Sequence, residues 1–218
     1  MPTKDQYSLT DEQVASTLSP FRVQLATDQI AKIREYVRLL LKWNQSISLT
    51  SVVDPVEIVA RHFGESMFAG GLIAVETCRL ADLGSGAGFP GLALKIACPS
   101  LHVVLIESNK KKCAFLSEVV RSLELANVEV LPIRFDETRV SKGYAEIITA
   151  RAIGGFSDIL RWAKTALAHR GHMIFWLGGE DSTKVSSTPD WIWQPAVKIP
   201  ESQRRFVLIG RPRPDENL

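Results

Sequence analysis

The sequence predicts an α/β fold of the doubly wound kind. Three observations carry that prediction: short apolar runs alternate with helical segments after residue 79, a glycine-rich turn follows the first run, and only helical patterning precedes it. Parallel neighbours in a sheet need a crossover of about a dozen residues or more, usually a helix. Repeated strand–helix–strand units therefore place helices on both faces of a parallel sheet.

The elements follow in chain order. Ile30, Ile33, Val37, Leu40 and Leu41 recur at helical period, an amphipathic stripe running to about Trp43. Asn44 to Thr50 reads as a loop. Asp54 and Pro55 supply an N-cap and a first-turn residue for a second helix, through about Phe68, which Gly70 and Gly71 stop. Strands are predicted at Arg79–Leu83, Val103–Glu107, Val128–Pro132, Ile147–Ala150 and His172–Leu177, with helices near Pro90–Ala97, Lys110–Leu123 and Phe156–Ala168. Trp191–Ile199 and Arg205–Ile209 read as a late antiparallel hairpin at one edge, joined by Pro200–Arg204, and the Arg-Pro-Arg-Pro segment after it is expected to fray. The expected organisation is a helical extension over residues 1–70, packed on a single compact domain over 71–218.

Composition excludes several classes. The 218 residues, 45% hydrophobic and 23% charged, can bury a full core and are not those of a disordered or fibrous chain. No run approaches the ~20 apolar residues of a membrane span, and Met1 to Leu9 is polar, so a cytoplasmic protein without a membrane partner is expected. Cys78, Cys98 and Cys113 form no CxxC pair and read as buried thiols, and His169 and His172 flank a turn, so no metal site is expected. A net charge of +2 permits a polyanionic partner without requiring one.

The chemistry concentrates in Ala81-Asp82-Leu83-Gly84-Ser85-Gly86-Ala87-Gly88-Phe89-Pro90-Gly91, at the carboxyl end of the first predicted strand. Open α/β sheets bind ligands there, and glycines let the backbone turn sharply and approach a ligand closely. Gly86, Gly88 and Gly91 also satisfy GxGxxG, and Glu107 ends the second strand where a ribose-binding acid belongs, which leaves NAD as one candidate. Asp82, placed by the sequence at the mouth of the loop, favours another. A carboxylate there repels a pyrophosphate and attracts the ammonium and sulfonium of S-adenosylmethionine.

Further motifs extend the pattern: Trp43-Asn44 with Ser48-Leu49-Thr50, Arg61-His62 with Glu65-Ser66, Glu107-Ser108 leading into Lys111-Lys112 and Phe115-Leu116, Arg134 to Glu137, and Thr149-Ala150-Arg151-Ala152. On these motifs and the loop, the stretch from about Trp43 to Ile209 resembles the RsmG (GidB) family of bacterial 16S rRNA methyltransferases. The resemblance implies a Rossmann-like class I sheet and methyl transfer from S-adenosyl-L-methionine to guanine N7 in the decoding-site (530) loop. It implies that Gly84 contacts the cofactor by main chain and Phe89 by apolar contact, that Glu107 holds the ribose hydroxyls, and that Phe135 and Asp136 lie beside the adenine. Asp82 and Gly86 complete the cofactor set. Arg151 resembles the arginine lining the cofactor and target pocket, where it positions rather than acts as a base.

The partner implied is 16S rRNA or a small-subunit precursor, met by a monomer. Lys110, Lys111 and Lys112 oppose the dipole of the helix they open, a cost that an RNA contact would offset. With His62, Arg204 and Arg205, Lys111 and Lys112 form the expected RNA set. His62 and Glu65 stand at i and i+3 and can also be read as a local ion pair. The family commonly carries lysine where this chain has Leu177. A non-catalytic RNA-binding module and an NAD-dependent oxidoreductase remain the alternatives.

Overall fold

The computed structural model describes residues 9–73 and 77–214, so part of the predicted extension, residues 1–8, lies outside it. The chain enters through α1 (Asp11–Leu18), α2 (Thr27–Asn44), α3 (Pro55–Ile58), a π-helical stretch (Val59–Gly64) and α4 (Glu65–Gly70). After these come β1 (Arg79–Leu83), α5 (Gly91–Ala97), β2 (His102–Ile106), α6 (Lys110–Ser122), β3 (Val128–Leu131), β4 (Ala145–Arg151), α7 (Phe156–Ala166) and β5 (Leu167–Gly178). The last part is α8 (Gly179–Ser186), β6 (Trp191–Trp193), β7 (Val197–Lys198) and β8 (Arg205–Pro212).

The strands form one sheet in the order β3-β2-β1-β4-β5-β8-β6, with β7 also on β8. β1 to β5 run parallel, and β8 is antiparallel to β5, β6 and β7. Period-two alternation divides the core. Leu80, Val103, Leu105, Ile147 and Ile174 face α2, α5 and α6, while Ala81, Val104, Ile148, Met173 and Phe175 face α7 and α8. Both faces are therefore covered, as the crossover argument requires.

Local chemistry explains the helices. Asp54 caps α3, accepting from Glu57 N at 2.8 Å, and Pro55 occupies the first turn. Thr10 and Gln13 form a capping box on α1, with Gln13 N on Thr10 Oγ1 at 3.1 Å and Thr10 N on Gln13 Oε1 at 2.8 Å. That signal stood in the sequence ahead of Val14 and Leu18 but was too short to read by periodicity. Gln29, near the start of α2, donates to Ile96 O at 2.7 Å and so ties the helical extension to the end of α5.

Several expectations change. The helix foreseen from Pro55 to Phe68 contains the π turn at Val59–Gly64, which the amino-acid pattern does not mark. α7 ends at Ala166, because Leu167 already pairs with Ala145 and begins β5 across a bulge. The late hairpin is three-stranded: β7 pairs with β8 near Val207, and β6 pairs with its far end at Pro212. The segment expected to fray is held, with Arg213 N on Asp190 O at 2.8 Å and Arg213 Nε on Pro189 O at 2.6 Å. No described helix is long and apolar enough to cross a membrane.

Candidate active site

The chain runs β1 to β2 to β3 outward and then returns to place β4 beside β1, so the switch in strand order lies between β1 and β4. A crevice opens at the carboxyl end of such a switch. The turn leaving β1 lies there. Gly84 N and Ser85 N donate to Ile106 O at 2.8 and 3.3 Å, and Gly88 N donates to Ser85 O at 2.6 Å. Gly84, Gly86 and Gly88 all take positive φ, and the Phe89–Pro90 peptide is cis.

The glycines divide by surroundings. A β-carbon at Gly88 would lie 2.2 Å from the Tyr36 hydroxyl, and one at Gly91 would lie 2.7 Å from Leu105 Cδ2 and 2.9 Å from Asp82 Oδ2. These two are packed from below. A β-carbon at Gly86 meets nothing nearer than Gly84 O at 3.7 Å, so this part of the turn leaves backbone accessible to a ligand.

Asp82 departs from expectation. It is fully buried beneath the turn rather than at its mouth. Register puts it beside Thr149 on β4, whose hydroxyl donates to Asp82 Oδ1 at 2.7 Å, while Gly91 N donates to Oδ2 at 3.2 Å. Burial pushes the carboxyl up to about 6, against the pull of these hydrogen bonds. It thus fastens β4 and the start of α5 to β1. Glu107 just follows β2 and is also buried. Its oxygens accept from Gly86 N at 2.9 Å and Asn109 N at 2.8 Å, which aligns an acid with the open glycine.

Phe89 is 8% exposed and stacked on two rings, Tyr36 at 5.3 Å and His62 at 4.9 Å between centroids, with Phe63 edge-on at 5.0 Å. It packs the helical extension against the turn. Phe135 and Asp136 form a single 3-10 turn after β3. Phe135 stands edge-on to Trp162, whereas Asp136 is exposed and takes both its bonds from Arg134 at 2.9 and 3.0 Å, which holds its carboxyl below the usual range.

Arg151, at the end of β4, is the hub of the site. Its Nη2 donates to Arg61 O at 2.8 Å and Glu65 Oε2 at 3.0 Å, and its Nη1 donates to Ser66 Oγ at 3.2 Å. Arg205 reaches the other Glu65 oxygen at 2.6 Å, and Trp176 Nε1 donates to Glu65 O at 2.8 Å. Glu65 is 2% exposed, so the pairing answers a desolvation that raises its carboxyl while both guanidiniums pull it back.

The His62–Glu65 ion pair read from the spacing is absent. His62 instead shares a hydrogen bond with Thr50 Oγ1 at 2.8 Å, and burial followed by Arg151, Arg61 and Arg205 lowers it to about 3. A neutral imidazole is the result. Asn44 shapes that loop, accepting from Leu49 N and Thr50 N at 2.8 and 3.0 Å. Thr149, Tyr36, Glu65 and Ser66 were missed as site residues. Glu65, Ser66 and Thr149 stood inside the motifs, but their partners are distant in sequence.

Lys111 and Lys112 open α6 behind Asn109, whose side chain accepts from both backbone amides, at 2.9 and 3.2 Å. Lys111 and Arg204 are exposed, Lys112 is half-buried, and Arg205 is committed to Glu65. Leu177, where the family commonly has lysine, is 6% exposed in the apolar layer facing α7 and α8.

The residues present fit S-adenosylmethionine: the turn at Gly86 leaves backbone open to a ligand, and Glu107 sets a carboxylate beside it at the end of the neighbouring strand. Comparison with known proteins agrees. Residues 29–194 match the family model for GidB, rRNA small subunit methyltransferase G. A ribosomal RNA small subunit methyltransferase G of Xylella fastidiosa (strain 9a5c) is 36% identical over 188 residues, 84% of this chain and 87% of that protein. One from Photobacterium profundum is 30% identical over 201 residues, 91% of this chain and 96% of the other. A SAM-dependent methyltransferase structure from Aquifex aeolicus has the same fold, at TM-score 0.60 and 15% identity over 72% of this chain and 93% of its own. The chain belongs to the rRNA small subunit methyltransferase G family and is an rRNA methyltransferase with S-adenosyl-L-methionine as its cofactor.

Proposed function

We propose that the chain methylates N7 of a guanine in the 530 loop of 16S rRNA, acting as a cytoplasmic monomer. One observation supports this atom over an exocyclic amine or a hydroxyl: the carboxylates and the imidazole described at the site are held by neighbours in the fold, and Glu107 and Asp136, the two set toward the cofactor, would serve its ribose and adenine. Asp82 is held by Thr149 and Gly91, Glu107 by Gly86 and Asn109, Glu65 by two arginines, and His62 by Thr50 and Phe89. Guanine N7 carries a lone pair and no proton, so its alkylation needs no general base.

The cofactor supplies a methyl group on a cationic sulfonium. The chain's own work is to bind, orient and exclude water. The main chain of Gly84 and Gly86 would cradle the methionine portion, and Glu107 would accept from the ribose hydroxyls with the lone pairs that Gly86 N and Asn109 N leave free. Phe135 would pack beside the adenine, with Asp136 within reach of its edge. Asp82 would hold the turn from beneath, and Phe89 would brace it from the side of the helical extension, residues 1–70. Arg151 would position the target base at the crevice. Lys111, Lys112, Arg204 and Arg205 would meet RNA phosphates, and His62 would support that surface through its stack on Phe89.

Mass spectrometry of nucleosides from small-subunit RNA of a deletion strain tests the proposal. The expected result is loss of 7-methylguanosine from the fragment containing the 530 loop and its return on complementation. Loss of an amine-methylated nucleoside instead, with 7-methylguanosine unchanged, would refute the proposal.

A further inference from the structure

Two guanidinium nitrogens in the cluster around Glu65, Arg61 Nε and Arg205 Nε, are buried with no hydrogen-bond partner among the described residues. Such donors are costly to leave unmet, and native proteins rarely do so without a reason. Both belong to one cluster. The backbone carbonyl of Arg61 accepts from Arg151, Arg151 and Arg205 share Glu65, and all three arginines act electrostatically on His62. Each guanidinium carries five N–H donors. Among the described residues their acceptors are Glu57, Glu65, Ser66 and the Arg61 carbonyl. Counter-charge is present, with Glu57 on Arg61 from the solvent side and Asp82 acting on Arg151 from beneath the turn. What these leave unmet are the two Nε donors of Arg61 and Arg205.

The cluster is graded from inside to outside. Side-chain exposure rises from 2% at Glu65 through 15% at Arg151 and 34% at Arg205 to 40% at Arg61. It is also preformed. The wide π turn carries Arg61, whose carbonyl is pinned by Arg151, and Arg205 is pinned by Glu65 and by its own amide on Ser202 Oγ at 3.0 Å. A tetrahedral oxyanion brings several acceptor oxygens at once and matches the guanidinium fork.

We propose that Arg61, with Arg205, forms a phosphate subsite that seats a backbone phosphodiester of the RNA strand carrying the target nucleotide, next to Arg151. This rests on the rRNA methyltransferase reading and adds to it a contact, Arg61, and a geometry for strand entry. The same oxyanion chemistry is carried by the methionine carboxylate of the cofactor, and the two sources separate experimentally.

The test uses the full chain, an unmethylated small-subunit rRNA fragment and S-adenosylhomocysteine, with Arg61→Gln and Arg61→Lys. Neither substitution removes the Arg61 carbonyl that Arg151 needs. For Arg61→Gln we expect about a tenfold loss of RNA affinity, a salt slope shallower by about one phosphate contact, and S-adenosylhomocysteine affinity within about twofold of wild type. Arg61→Lys should restore the slope but not the full affinity, because an ammonium cannot form the bidentate contact. An unchanged slope in Arg61→Gln overturns the subsite. A tenfold loss of S-adenosylhomocysteine affinity with RNA binding intact overturns it in favour of the carboxylate. Failure of the wild type to bind a fragment carrying the 530 loop while binding S-adenosylhomocysteine overturns the 530-loop reading, and the subsite with it.

Discussion

Tyr36, in the middle of α2, donates its phenolic hydrogen to the carbonyl of Ala87 at 2.6 Å, inside the glycine turn and 51 positions away in sequence. Both groups are buried, and the phenol's pKa is raised by burial and by Asp82, so it stays a donor at any working pH. Removing the hydroxyl leaves a buried carbonyl unmet, at a cost of about 1–3 kcal/mol. Tyr36→Phe is expected to lower the unfolding free energy from denaturant titration by that amount and to weaken S-adenosylhomocysteine binding in calorimetry. Unchanged cofactor affinity would show that the turn holds its shape without α2.

The glycines of the turn are expected to differ sharply. At Gly86, φ +57 and open surroundings mean that alanine costs about 1–2 kcal/mol of backbone strain and intrudes only on a ligand. At Gly88, the added β-carbon strikes the Tyr36 hydroxyl and also strains a φ of +86. Thermal melts should therefore show Gly88→Ala several degrees below Gly86→Ala, and only Gly86→Ala should retain a near-native melt while losing cofactor affinity. Equal melts would place the two glycines in the same environment and contradict the packing.

Arg151→Ala should unfold the site before it reports on catalysis. Glu65, 2% exposed, would keep Arg205 as its one remaining guanidinium, so the loss should be a part of the about 3–5 kcal/mol that a buried charge left wholly unpaired costs. Urea denaturation should register that loss, and Arg151→Ala combined with Glu65→Gln should recover part of it because the stranded charge is gone. A midpoint equal to wild type in the single variant would mean that Arg151 contributes only to turnover.

His62 and Asp82 should act on acid stability in opposite directions. His62, lowered to about 3 from 6.5, leaves the unfolded chain binding more protons between those values. Its contribution to stability is therefore complete above pH 6.5 and drains as pH falls toward 3, by at most about 1.4 kcal/mol per pH unit. Asp82, raised to about 6 from 3.8, has the opposite sign: its contribution is complete below pH 3.8 and is lost as pH rises through 6. Denaturation midpoints between about pH 4 and 8 should show His62→Gln flattening the acid-side loss. Asp82→Asn should gain on wild type as pH rises from 4 to 6. Parallel profiles for wild type and Asp82→Asn would mean that the carboxyl titrates normally.

Local pattern settled the α/β class, the positions of β1 to β4, the later half of β5, the helix at residues 30–43 and, through its capping residues, the Asp54–Pro55 start, because each depends on neighbours within a few residues. The glycine turn and Glu107 were legible for the same reason: a turn after a strand is a local event, and the acid follows one strand later. What Asp82, Phe89, His62, Glu65 and Arg205 do was decided by tertiary structure. Asp82 is buried because its strand register sets it beside Thr149, and Glu65 meets Arg151 and Arg205 across 86 and 140 positions rather than His62 three residues away. Desolvation assigns such partners. A carboxylate or guanidinium taken out of water must find its complement wherever the sheet and the π turn bring one, and no spacing in the chain encodes that distance.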